Sequence, residues 1–384
     1  MRNGHTTRDL LAHLVGFPTV SSRSNLDLVD FVESFLANHG IASTRVPDDT
    51  GTKASLFAQI GPNVPGGVVL SGHTDVVPTE GQAWSTDPWT LTERGGRLYG
   101  RGTCDMKGFC AAALAMANEM QAAPLRRPII IALSHDEEIG CLKAPEMIEG
   151  ILATHPTPAA VIVGEPSDMR VVTSHKGSWE FKGHARGHEV HSSLIHTGVS
   201  AIHAAAKLIV WSSDTTAQNA QSSKDTAFEP PYTTLHIGVI SGGTAKNITA
   251  RDCHFIGEIR VMPDESITAW RSRMEAEAER IQAQMRAIAP DTALSLESTI
   301  TIPPLVPEVN GFAESLARSL TGDNANHVVS YQTEAGQFQE AGLSTIVCGP
   351  GSIRQAHQPD EFISIEQLDA AETFMKRLIR HLSS

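Results

Sequence analysis

Apolar residues in this chain recur with two periods. Short continuous runs such as Ala54–Ala58, Val68–Leu70, Pro128–Leu133, Val161–Val163 and Ser344–Cys348 lack the alternation of a half-exposed strand. Such runs read as strands buried on both faces, the habit of a parallel sheet. Between them lie stretches with helical spacing. From about Thr6 to Gly40 the chain reads as helical, with Leu26, Val29, Phe31, Val32, Phe35 and Leu36 along the second segment. Asn25 is positioned to cap that segment and Gly40 to end it. Lys107–Met120 is rich in alanine, and Ile365–Leu382 forms a final helix; Gln82–Arg101 reads as a long loop. Strands alternating with helices predict an α/β fold, a mainly parallel sheet with helices on both faces.

From Ser178 the pattern changes. A strand at Trp179–Phe181 is followed by a helix near Val199–Trp211, strands near Thr233–Ile240 and Cys253–Val261, a helix over Glu265–Ile288 and a strand near Ala293–Ser298. The order βαββαβ is that of a small ferredoxin-like α+β module. We therefore expect a main domain over residues 1–177 and 293–384, with residues 178–292 inserted into it. The polar stretch Ser212–Thr226 is expected to be a loop.

A chain of 384 residues accommodates two such domains. Its formal net charge of −13 disfavours nucleic acid or an anionic membrane as a partner. No stretch approaches the ~18 apolar residues of a membrane span. The opening residues Met1–Asp9 lack the apolar segment of a signal peptide. Five scattered cysteines without a Cys-x-x-Cys pair suit a reducing compartment, so a cytoplasmic protein is expected. No Gly-x-Gly-x-x-Gly turn follows the early strands, which disfavours a nicotinamide enzyme.

Chemistry concentrates where the apolar runs end. Open α/β sheets place ligands at the carboxyl ends of their strands, and here three runs lead into His73 and Asp75, into Glu137 and Glu138, and into Glu165. Asp105 sits in a glycine-rich turn between Gly102 and Gly108, and His357 follows Gly349-Pro350-Gly351. Any single one of the 17 histidines is better explained as a surface or core residue; the signal is the repeated coincidence of ligand and strand end. Imidazole and carboxylate without thiolate suit zinc, cobalt or manganese in an open, catalytic site. His73, Asp105, Glu138, Glu165 and His357 are too many ligands for one tetrahedral ion. They fit two ions ~3.5–4 Å apart if one carboxylate, for which Asp105 is the candidate, bridges them. Asp75, two residues beyond His73, could accept the proton of its second nitrogen. Glu137 remains free to act as a general base.

The segments His73-Thr74-Asp75-Val76-Val77-Pro78, Gly100–Gly108, His135-Asp136-Glu137-Glu138, Gly164-Glu165-Pro166 and Ala356-His357 resemble the two-metal amidohydrolases, a family of aminoacylases, deacylases and carboxypeptidases. The resemblance implies two divalent ions, zinc or cobalt. His73 and Glu165 would hold one and Glu138 and His357 the other, with Asp105 bridging, Glu137 as base and Asp75 orienting His73. It further implies that the inserted module is a lid and the interface of a homodimer, that His191 steadies the oxyanion in the partner's site, and that Asn247 and Arg260 hold a substrate carboxylate. Within the family, Thr333–Phe338 and Cys348–Glu361 are most similar to the branch that hydrolyses N-acetyl-L-ornithine. Succinyl-diaminopimelate, other N-acyl amino acids, dipeptides and a non-catalytic metal-binding role stay open as alternatives. Cys104, beside the bridging aspartate, departs from the small or hydroxyl residue expected there and suggests a site sensitive to oxidation.

Overall fold

The computed structural model describes residues 5–222 and 226–384. The expectations resting on residues 1–4 and 223–225 lie outside them. Two compact units emerge, one comprising Met1–Ser174, Pro307–His327 and Thr333–Ser384, the other His175–Val306 and Val328–Gln332.

In chain order the elements begin α1 (Thr7–Val15), α2 (Leu26–Asn38), β1 (Thr44–Pro47), β2 (Ala54–Ile60), β3 (Val68–His73), β4 (Thr92–Arg94) and β5 (Arg97–Tyr99). They continue α3 (Lys107–Ala115), α4 (Ala117–Ala122), β6 (Ile129–Ser134), α5 (Ala144–Thr154), β7 (Ala160–Pro166) and β8 (Val172–His175). Next come β9 (Gly177–Arg186), α6 (Ala201–Gln221), β10 (Thr234–Gly242), β11 (Asp252–Val261), α7 (Ile267–Arg286) and β12 (Ala293–Ile302). The chain closes with α8 (Phe312–Thr321), β13 (His327–Val329), α9 (Ala335–Glu340), β14 (Thr345–Gly349), β15 (Phe362–Ser364) and α10 (Ile365–Ser383).

The main sheet of the first unit runs β1-β2-β6-β3-β7-β14-β8. Its centre is parallel: β3 pairs in parallel with both β6 and β7, and β7 with β14. These four adjacent strands therefore send their carboxyl ends to one edge. The isoleucine and valine runs are buried along their whole length, as their lack of alternation predicts. Helices cover both faces. α10 buries Leu368, Ala371, Phe374, Met375, Leu378, Ile379 and Leu382 at helical spacing, each large side chain worth ~1.5–3 kcal/mol. At Gly164 a side chain is impossible, since a Cβ there would lie 2.0 Å from the Phe109 ring.

Three local expectations need correction. Asn25 precedes α2 but makes no side-chain cap; its amide instead pairs with the backbone of Ala54, at 2.8 and 2.9 Å, a better use for a buried amide. Gln82–Arg101 is not wholly loop, because Gly95 and Gly96, at φ +61° and +75°, turn β4 back onto β5, the backbone a two-residue hairpin needs. The stretch from Ser212 is not a loop: α6 continues to Gln221. Ser212 and Thr215 are buried, and the Ser212 hydroxyl donates to the Leu208 carbonyl at 2.8 Å, so polar letters conceal an inward helical face.

The second unit has the βαββαβ order in an antiparallel sheet, β10-β11-β9-β12. Along β9 the inward positions are Trp179, Phe181, Gly183 and Ala185, and Trp179 stacks on Phe181 with centroids 4.6 Å apart. The expected boundary at residues 292/293 falls too early. β12 pairs with β9 from Ala293 opposite Arg186 to Ile302 opposite Ser178, which keeps the chain in this unit to Val306.

Candidate metal centre

His73 closes β3 and is fully buried. Its Nδ1 lies 2.9 Å from the backbone carbonyl of Asp75, an acceptor only. Nδ1 therefore carries the proton, and Nε2 is left to face Asp105 Oδ1 at 2.9 Å and Glu165 Oε1 at 3.6 Å. Glu165 comes from the end of β7. From the loop after β14, His357 Nε2 reaches Asp105 Oδ2 at 3.3 Å and Glu138 Oε2 at 2.9 Å. Asp105 thus turns one oxygen toward each histidine, the disposition a bridging carboxylate requires.

All five expected ligands and Glu137 converge at this edge. Ligand atoms of His73, Glu137 and Glu165 lie within 4.8 Å of one another, as do those of His73, Asp105 and Glu138. Burial, reinforced by neighbouring carboxylates, raises the Glu137 carboxyl to about 8 and that of Glu138 to about 7. Burial likewise raises Glu165, whose Oε1 is buried without a hydrogen-bond donor. Asp105 resists burial and stays low because His357 and His73 face it. His357 is raised to about 10 by Asp105 and Glu138. Crowded acids with an orphaned oxygen, opposed only by two imidazoles, fit divalent cations well.

Asp75 has partners beyond His73. Its carboxylate stands 3.6 Å from His73 Nδ1 and accepts from the Ser21 hydroxyl at 2.7 Å and from the N–H groups of Glu137 and Glu138, both at 3.2 Å. It anchors the acidic loop after β6. Lys53 holds the same loop from the side through Asp136, whose backbone adopts φ +60°.

Sequence reasoning assigned no role to Glu361. This carboxylate is buried and gathers the N–H groups of Gly102, Cys104 and Asp105 at 3.1, 2.9 and 3.1 Å, together with the Arg101 guanidinium at 2.7 Å. It fixes the turn that presents Asp105. Glu334, also buried, accepts from the hydroxyls of Ser71 and Ser134 on β3 and β6. Both lie inside segments that carry the family resemblance, the only signal available. Cys104 is buried, its thiol donates to the Ser352 carbonyl at 3.2 Å, and burial pushes it well up. These features make it a poor nucleophile, contrary to the expected sensitivity to oxidation.

His191, Asn247 and Arg260 belong to the second unit. His191 is exposed, with Nδ1 2.8 Å from the Ser193 hydroxyl; the Asn247 carbonyl accepts from Ser192 N–H at 2.9 Å. Arg260 pairs with Glu258 at 3.1 Å on the outward side of β11.

The model of peptidase family M20/M25/M40 matches residues 69–381. The chain belongs to this family. As an M20 protein it is a metal-dependent hydrolase. It is 34% identical to acetylornithine deacetylase from Myxococcus xanthus, with 97% of each chain covered. It is 32% identical to acetylornithine deacetylase from Pasteurella multocida, with 95% of each covered. Its fold is similar to that of the M20 metallo-carboxypeptidase Sso-CP2 from Sulfolobus solfataricus, with a TM-score of 0.78, 99% of each chain covered and 15% identity. Among the described residues, no helix is long and apolar enough to cross a membrane.

Proposed function

We propose that this M20 enzyme hydrolyses the amide bond of N-acetyl-L-ornithine to L-ornithine and acetate, a step of arginine biosynthesis, in the cytoplasm. The observation that carries the hydrolytic reading is the convergence of two histidines and three acidic side chains on one strand edge, with Glu137 beside this ligand set. The substrate assignment draws on near full-length likeness to proteins named acetylornithine deacetylase.

His73, Asp105, Glu138, Glu165 and His357 would hold two divalent cations, zinc or cobalt. Bound there, the cations supply Lewis acidity toward the amide carbonyl and the attacking water. Glu137 takes the proton from that water and passes it to the leaving amine, a transfer worth ~10²–10⁴ in rate. Asp75 and Lys53 keep the loop that carries Glu137 in place. By motif likeness, His191 steadies the oxyanion, Asn247 and Arg260 take the substrate carboxylate, and the second unit serves as lid and dimer interface.

A second reading, peptide hydrolysis, is favoured by the carboxypeptidase fold relative. A panel of N-acetyl-L-ornithine, N-succinyl-diaminopimelate, other N-acetyl amino acids and dipeptides, read by released amine, separates the two. Fastest turnover of N-acetyl-L-ornithine supports the assignment; preference for a dipeptide overturns it. Glu137→Ala should retain bound metal and lose turnover; full activity in that variant removes Glu137 as the base.

A further inference from the structure

The loop after β6 curls back on itself. The N–H groups of Gly140 and Cys141 both donate to the Glu137 carbonyl at 2.9 Å. Cys141, with φ +53°, is thereby brought over the side chain four residues behind it. Its thiol sulfur lies 3.3 Å from Glu137 Oε1. A general base acts in its ionised form, and an ionised carboxylate can only accept, so the thiol is then the donor. Cys141 is 1% exposed, and its own carbonyl accepts from the Gln337 side chain on α9 at 3.0 Å. The backbone turn and α9 thus hold the thiol from two sides. At the other end of the same glutamate, Asp75 holds the backbone N–H.

We propose that Cys141 is a positioning residue for Glu137: its thiol engages Oε1 and leaves Oε2 as the oxygen that handles the proton. The proposal rests on the reading of Glu137 as the base. A free carboxylate rotates about its last torsion and presents either oxygen. A donor on one oxygen removes that freedom before substrate arrives, which lowers the cost of reaching the proton-transfer geometry. A thiol is a weak donor, so the contribution is modest, about threefold to tenfold in kcat.

The test compares Cys141→Ser, Cys141→Val and Cys141→Ala in the metal-loaded enzyme, on whichever N-acyl amino acid the unmodified protein turns over fastest. Val fills the space without a donor, and Ser donates with less bulk. The expected result is a loss of about threefold to tenfold in kcat for Val and Ala, with KM and bound metal unchanged and most of the rate restored in Ser. A Val variant as fast as the parent, or a Ser variant as slow as Ala, overturns the proposal in favour of simple packing. A second readout needs no turnover: the infrared S–H stretching band that disappears in Cys141→Ala should move to higher frequency in Glu137→Gln, whose amide is a weaker acceptor. A band that does not move overturns the contact. Undiminished activity in Glu137→Gln would instead sink the base assignment, while the band position still reports on the thiol contact.

Discussion

At the carboxyl edge of β6, β3, β7 and β14, His73, Asp75 and Asp105 are buried and held by several partners each, and Glu165 is buried facing His73. In the second unit His191 and Asn247 are exposed and Arg260 is half-exposed, its side chain paired with Glu258 and Gln332. The difference is energetic. A buried carboxylate must be compensated by donors or cations, so each group in the first region depends on its neighbours. An exposed side chain is compensated by water and can be exchanged at little cost to the fold. The first region should therefore respond to perturbation as a unit, the second residue by residue.

The largest response should follow removal of metal. A strong chelator should abolish turnover and lower the melting temperature. Binding that favours the folded state contributes about 4 kcal/mol at a thousandfold excess over Kd, and here it also relieves the crowding among Glu137, Glu138 and Glu165. Thermal melts with and without chelator, followed by return of zinc or cobalt, check this. An unchanged melting curve on demonstrably metal-free protein would break the comparison at its root.

Next is Glu361→Ala. Arg101 and Glu361 form a pair in which each side chain is 1% exposed, and removing one partner leaves a buried charge and three N–H groups uncompensated. A loss of about 3–5 kcal/mol in unfolding free energy is expected, together with weaker metal binding as the turn under Asp105 loosens. Denaturant titration and metal analysis read both effects.

What the sequence disclosed, and what it hid, divides along the same line. His73, Glu138 and Glu165 were legible because an uninterrupted apolar run points to each of them, so strand, direction and ligand are written side by side. The βαββαβ order was legible because alternation and helical spacing are local. Glu361 was silent because its work is done 256 to 260 residues away in the chain. Asp75 was legible in part: two-residue spacing on a strand suggests its place beside His73, 3.6 Å away, whereas its bonds to the N–H groups of Glu137 and Glu138 join residues that the fold alone brings near. Ser212 misled because a hydroxyl satisfied within its own helix, here by the Leu208 carbonyl, is inwardly as acceptable as an apolar side chain.

Arg260→Ala sharpens the contrast from the other side. If Arg260 holds the substrate carboxylate, KM should rise about tenfold to a hundredfold, the value of a charged hydrogen bond, with kcat little changed. The melting temperature should stay within a degree or so of the parent, since a half-exposed pair contributes little to stability. Steady-state kinetics and a melt suffice, and a large drop in stability would place Arg260 with the buried residues instead.

The smallest effects make the most direct comparison, because they pit one polar contact against another. Ser21→Ala deletes the hydroxyl that donates to Asp75 Oδ2 at 2.7 Å and should cost about 1 kcal/mol. Asp75 keeps the N–H groups of Glu137 and Glu138, so the loop survives and metal content should hold, yet a buried carboxylate has lost a donor that water cannot replace. Glu258→Ala deletes the partner of Arg260 in a pair whose side chains are 28% and 35% exposed, and water can take its place, so less than about 0.5 kcal/mol is expected. Parallel denaturant titrations of the two variants decide the matter. Equal costs would mean that burial at the strand edge does not bind its polar groups into one unit, and the inference of a preorganised metal centre would lose its energetic basis.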